Sequence, residues 1–126
     1  MAEASFITFR DRQVLLMDFS HLRDAARLSR LTDDAIRLAG SAATPQAVLA
    51  LLDLTGTRMD RVTLASLRKL SQHNGPFIKL MAFAGLGAIS GSALKSVLRA
   101  TGRANHKVFK GRREGLEWLT SPQAPS

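Results

Sequence analysis

Cysteine is absent from this 126-residue chain, and its absence removes disulfides, thiolate nucleophiles, iron–sulfur clusters and thiolate zinc sites together. Long apolar runs are missing too. No stretch reaches the roughly 18 consecutive apolar residues of a spanning helix, so no stable membrane insertion is expected. The opening MAEASFITFRDRQ carries an early acidic residue and no continuous apolar core, unlike a secretory signal. Cytoplasmic residence is the expectation. Acidic residues are the scarcer charge, 10 Asp and Glu against 18 Lys and Arg, for a formal charge of +8. That excess attracts polyanions at low salt without establishing a nucleic-acid role. The basic residues are dispersed, with the densest run at Arg99, Arg103, Lys107, Lys110, Arg112 and Arg113. His21, His73 and His106 lie far apart with no ligand-type spacing, and neither a metal nor a cofactor is expected.

What remains is an ordinary globular composition, 45% apolar and 22% charged, at a length suited to one domain. That domain is expected over residues 1–120, with a frayed tail at 121–126. Phe6–Phe9 and Val14–Phe19 read as two strands of a hairpin, the second nearly continuously apolar as for a strand covered on both faces. Helical spacing over 22–39 aligns Ala25, Leu28, Leu31, Ala35 and Leu38, with Ser20 as a cap and Gly40 as a stop. Ala47–Leu54 reads as a buried strand. A helix over about 60–72 follows with Val62, Ala65, Leu67 and Leu70 on one face, ended by His73-Asn74-Gly75-Pro76. Phe77–Phe83 is the next strand, Ser92–Thr101 a short helix, His106–Phe109 a last strand and Arg113–Leu119 a last helix that packs Leu116, Trp118 or Leu119 on the sheet. The class is therefore α/β, a four- to five-stranded, largely parallel or mixed sheet with about four helices and an N-terminal hairpin.

Three groups of residues invite a chemical reading. Asp18 and Asp53 end predicted parallel strands, the rim where open α/β sheets place ligands. They approach each other if their strands are neighbours, with His21 within reach of Asp53. The structural alternative is that Asp18 holds the turn at Ser20 while Asp53 holds the Thr55-Gly56 turn by hydrogen bonds. The second group is AGLGAISGS at 84–92, whose Gly85, Gly87, Ser90 and Ser92 form a candidate ligand rim. It matches neither the phosphate-loop nor the dinucleotide pattern, and its glycines equally suit a tight strand-to-helix connection. The third is Thr55, Thr57 and Thr63 after the second buried strand, candidates for an interaction or phosphorylation site.

Four segments taken in order, VLLMDFSHL at 14–22, LLDLTGTRMD at 51–60, residues 73–103, and VFKGRREGLEWL at 108–119, resemble the small bacterial proteins described as STAS-like or SpoIIAA-like, also called the STAS/SEC14 group. The resemblance implies a fold like that of the anti-sigma factor antagonists, which bind partner proteins and turn over no substrate. In those antagonists a serine at the start of the helix after the central strand is phosphorylated. Here Arg61, Val62 and Thr63 stand where an acidic residue and paired serines are expected, leaving Thr63 as a displaced candidate.

The leading expectation is accordingly a non-enzymatic regulatory or protein-interaction module, with a protein partner and a homodimer through the hairpin edge as candidate assemblies. A small-molecule or lipid-binding domain using the rim near 84–92 is the alternative, and nucleic-acid binding through a basic face a second one.

Overall fold

Alternating strand and helix patterns dictate a layered sheet, and the computed structural model, which describes residues 3–41, 47–86, 94–96 and 105–121, has one. Its five strands are β1 (Glu3–Phe9), β2 (Arg12–Asp18), β3 (Val48–Asp53), β4 (Ile78–Ala84) and β5 (His106–Phe109). They lie in the order 1-2-3-4-5, with β1 antiparallel to β2 and every later pair parallel. The helices are α1 (Ala25–Gly40), α2 (Arg61–Asn74) and α3 (Arg112–Leu119), with one further helical turn at 94–96. The rest of the helix expected over 92–101 lies outside the described residues, as do Gly87, Ser90, Ser92, Arg99, Arg103 and residues 122–126 of the tail.

The hairpin turns on two residues, Arg10 and Asp11, both at positive φ. Paired left-handed residues make the type I′ turn whose twist matches that of the flanking strands, so the strands run closer to the turn than expected. β5 has the expected bounds, and boundaries elsewhere differ by one to three residues. One cap differs in identity: Asp24 starts α1 by accepting from the Ala26 N–H. Ser20 is too early to do so, because its hydroxyl is held by Asp18 and His21 behind it takes a left-handed conformation.

Strand alternation divides the core in two. Leu15, Met17, Ala50, Leu52 and Phe83 face α1 and α2, where Leu28, Leu31, Ala35, Leu67 and Leu70 cover them. Crossovers of one hand that step in one direction put their helices on one face. Val14, Leu49, Leu51, Leu80, Ala82 and Ala84 face the other way, against Leu116 and Leu119 of α3. Every residue of β3 is buried, as its unbroken apolar run requires. A register shift beside Val48 and Leu49 opposes two β3 residues to Ile78 and Leu80 across an extra Lys79. Such a bulge frees backbone groups, and Asn105 Nδ2 donates to both the Ile78 and Lys79 carbonyls at 3.2 and 3.1 Å.

Two expected core positions of α2 are instead exposed, Val62 at 54% and Ala65, because α2 buries the stripe Thr63, Leu67, Leu70 and Asn74. Trp118 is half-buried and closes the sheet edge by a tilted contact with Phe109, centroids 5.6 Å apart.

α3 has only eight residues and lies close because Gly115 has no side chain: a Cβ there would meet Leu51 Cδ1 at 2.8 Å and Ala82 Cβ at 3.2 Å. Gly115→Val is expected to cost about 1–3 kcal/mol by overpacking, read as a lower urea midpoint. A midpoint equal to that of the wild type would show that α3 does not need this approach.

Candidate functional site

At the carboxyl ends of β2 and β3 the chain repeats a short pattern, Asp18-Phe19-Ser20 and Asp53-Leu54-Thr55. Alternation sends both aspartates to the α3 face, while Phe19 and Leu54 go fully buried into the opposite core. Each carboxylate then holds its own turn. Asp18 Oδ1 accepts from the Ser20 N–H at 3.2 Å and its hydroxyl at 2.5 Å. Asp53 Oδ1 accepts from the Thr55 N–H at 3.0 Å and its hydroxyl at 2.6 Å. The two aspartates are register partners, so two like charges stand side by side.

Arg112 resolves that repulsion. It is the first residue of α3, following Gly111, which supplies no side-chain cap. Its Nε and Nη2 donate to Asp53 Oδ2 at 3.0 and 2.8 Å, and Nη2 lies 3.5 Å from Asp18 Oδ2. A cation at a helix N-terminus opposes the helix dipole, and the two carboxylates offset that cost. Burial pushes the Asp53 carboxyl up, but the Thr55 hydroxyl and N–H together with Arg112 outweigh burial and hold it below its ordinary value. Burial disfavours the Arg112 charge, and Asp53 and Asp18 more than restore it. Asp18 and Asp53 thus meet as expected, but their oxygens hold turns and an ion pair. His21 does not join them: its backbone N–H donates to the Thr55 carbonyl at 2.8 Å, and its ring lies on Gly56, where a Cβ would collide with it. Gly85, at φ +84°, is required for the close passage of β4's exit past Thr55, since a Cβ would run into the Thr55 hydroxyl and backbone.

The three threonines have different fates. Thr57 is buried, donating to the Phe19 carbonyl and accepting from the Leu22 N–H at 3.0 Å. Thr63 is buried at the third position of α2, its N–H donating to Asp60 Oδ1 at 2.9 Å. That N–H, and then the Thr63 hydroxyl, hold the Asp60 carboxyl below its ordinary value. Thr55 is exposed, with its hydroxyl on Asp53. A phosphate on any of the three breaks an existing bond, and on Thr55 or Thr63 it meets a carboxylate.

In front of Thr63 a cleft opens between the starts of α1 and α2. Leu22, Leu28 and Val62 line it with Arg23, Asp24, Arg58 and Asp60, around a volume of about 300 Å³. Among the described residues, no three of His, Asp and Glu converge as a metal-ligand set, and no helix is long and apolar enough to cross a membrane. The basic residues near the C-terminus are partly committed. Arg10 and Arg113 pair with Glu117 and lie over the Phe9 ring, while Arg112 is taken by the aspartates.

This arrangement matches a solved structure from Shewanella loihica PV-4, described as an uncharacterized protein from the DUF3478 family with a SpoIIAA-like fold. The match covers 94% of this chain and 95% of that one at a TM-score of 0.63 and 20% identity. The fold is SpoIIAA-like. No family model matches the sequence, and no curated protein does. Within the SpoIIAA-like fold, Asp18 and Asp53 stand side by side at the strand ends, whereas Arg112 was hidden in a run read as generic positive charge. Its signal was an arginine directly after the glycine that starts a helix, where a cation needs a local anion.

Two outcomes test this account. Asp53→Asn is expected to cost about 2 kcal/mol at neutral pH, less than the loss for a fully buried pair because the Arg112 side chain is 39% exposed. Because the folded-state pKa lies below the ordinary 3.8, the wild-type advantage is complete above that value. It is lost as pH falls through the folded-state value, so urea midpoints of the two proteins should converge in acid. Thr57→Val is expected to cost about 1–3 kcal/mol by leaving the Leu22 N–H and Phe19 carbonyl unpaired, while Thr57→Ser retains most of the stability.

Proposed function

We propose that this chain is a non-enzymatic regulatory module that binds a partner protein through the cleft between the starts of α1 and α2. The observation that carries this reading is Val62, the exposed large hydrophobic residue among the described ones, set in a ring of two arginines and two aspartates. An apolar anchor inside a charged rim is the composition of a protein-recognition surface. The cleft adjoins the helix start by which, on the family resemblance, anti-sigma factor antagonists meet their partners. The alternative use of the rim, acid–base chemistry by Asp18 and Asp53, is disfavoured because Ser20, Thr55 and Arg112 occupy both carboxylates. The partner is recognised without a phosphate switch at Thr55, Thr57 or Thr63, whose hydroxyls are used internally.

Affinity capture from native-cell extract at physiological salt tests the reading. Wild-type protein is expected to enrich a defined partner, and Val62→Asp and Arg58→Glu to reduce its recovery by about tenfold or more with unchanged circular dichroism and melting. Recovery of no protein above control, or equal recovery by both variants, overturns it.

A further inference from the structure

The strand order leaves β1 and β5 as the edges of the sheet, and the two are guarded very differently. β5 has four residues and exposes Lys107, a short and charged edge of the kind that resists pairing. β1 runs seven residues, matches β2 one to one without a bulge, and has no proline, glycine or charge from Ala4 to Phe9. Phe6, Ile7, Thr8 and Phe9 are aromatic or β-branched, the types that favour a strand. The usual guards against edge pairing are missing from it.

The two-residue turn fixes which backbone groups are open. Phe9 and Arg12 flank it as a hydrogen-bonded pair, and bonded and non-bonded pairs then alternate along the hairpin. Ser5, Ile7 and Phe9 therefore spend their N–H and C=O on β2, while those of Ala4, Phe6 and Thr8 point outward. Among the described residues nothing pairs with them there. The residues outside the described set lead elsewhere in the chain: 42–46 run to the central β3, and 87–93 and 97–104 join β4 to β5 at the far edge. Residues 122–126 include Pro122 and Pro125, which lack the N–H that a ladder needs.

We propose that β1 is a pairing edge for a second copy of this chain, joined antiparallel about a two-fold axis at Phe6. Outward residues must meet outward residues, and this register uses the strand from end to end. Phe6 opposes Phe6 of the second copy and Ala4 opposes Thr8, each pair exchanging two backbone bonds, with an aromatic pair on the axis. Glu3 takes the position opposite Phe9 and next to Arg10 of the second copy, so opposite formal charges lie together at both ends of the joint. Arg10 is available, because its pair with Glu117 at 3.4 Å is exposed and weak. The same patch serves both copies, so the contact closes on itself and leaves β5 as the edge on each side. A strand from another protein meets the same open backbone groups without this matched sequence. The joint lies apart from the cleft at the starts of α1 and α2, and either stands without the other.

The lack of cysteine makes the register measurable. Residues 4 and 8 of different copies have Cα atoms about 5.5 Å apart in it, inside the disulfide range of about 4.4–6.8 Å. Residue 8 of one copy is about 14 Å from residue 8 of the other, and as far from residue 4 of its own chain. Ala4→Cys combined with Thr8→Cys is therefore expected to oxidise to a covalent dimer, with either single variant giving at least about tenfold less. Sedimentation of the wild-type protein is expected to show a dimer that grows with concentration through the micromolar range. Thr8→Pro removes one outward N–H and spares the bonds to β2, so it is expected to be monomeric with an unchanged circular dichroism spectrum. A wild-type monomer at every concentration up to about 1 mM, a double variant that cross-links no better than the singles, or a folded Thr8→Pro that still dimerises would each overturn the proposal. If Thr8→Pro does not fold, the cross-linking comparison decides.

Discussion

An arginine shared by two neighbouring aspartates holds the second layer of this protein in place. The sheet's central strand is buried on both sides, so it needs cover on each, and on the side away from α1 and α2 the described cover is a helix of eight residues. A helix that short has little intrinsic stability. Gly115 lets it approach the sheet, Leu116 and Leu119 supply apolar contact, and Arg112 fixes its first turn to β2 and β3 together. The same contact allows two carboxylates to stand adjacent at the strand ends, where unrelieved repulsion would work against their pairing.

Around this pin the carboxyl-end rim is ordered by local bonds of one kind. Each aspartate folds the chain back through a hydroxyl two residues on, and Thr57 ties the β3 exit to the β2 exit through the Phe19 carbonyl and Leu22 N–H. The loops leading to α1 and α2 are thereby fixed relative to each other, which pre-forms the cleft between the two helix starts and lowers the ordering cost for the partner proposed to bind there. The carboxylates of Asp18 and Asp53 are engaged in these turns and in the ion pair with Arg112. The amino-terminal end is organised differently: Asn105 answers the bulge in β4, while Asn74 Nδ2 and Oδ1 meet no hydrogen-bond partner among the described residues.

Much of the fold was legible because periodicity is a local property. Val14–Phe19, Ala47–Leu54 and Phe77–Phe83 announce buried strands by unbroken apolar runs, and the stripe through Leu28, Leu31 and Ala35 announces a helix. Legibility failed where two local solutions compete for one residue. Ser20 is as good a cap by type as Asp24, and only the turn at His21 assigns its hydroxyl to Asp18. Val62 and Thr63 are adjacent on α2, and propensity favours burying the valine. The orientation of the helix against α1 buries the threonine instead.

By itself, then, the sequence determined the α/β class, the order of strands and helices, and the Asp-x-Ser and Asp-x-Thr turns at two strand ends. These depend on residues within a few positions of one another, through side-chain alternation and short-range hydrogen bonds. The tertiary structure decided the use of Arg112 and the burial of Thr57. Each depends on a partner brought near by the sheet from far along the chain, as Arg112 is to Asp53 across 59 positions, and charge or apolarity at one position carries no record of which distant group will meet it.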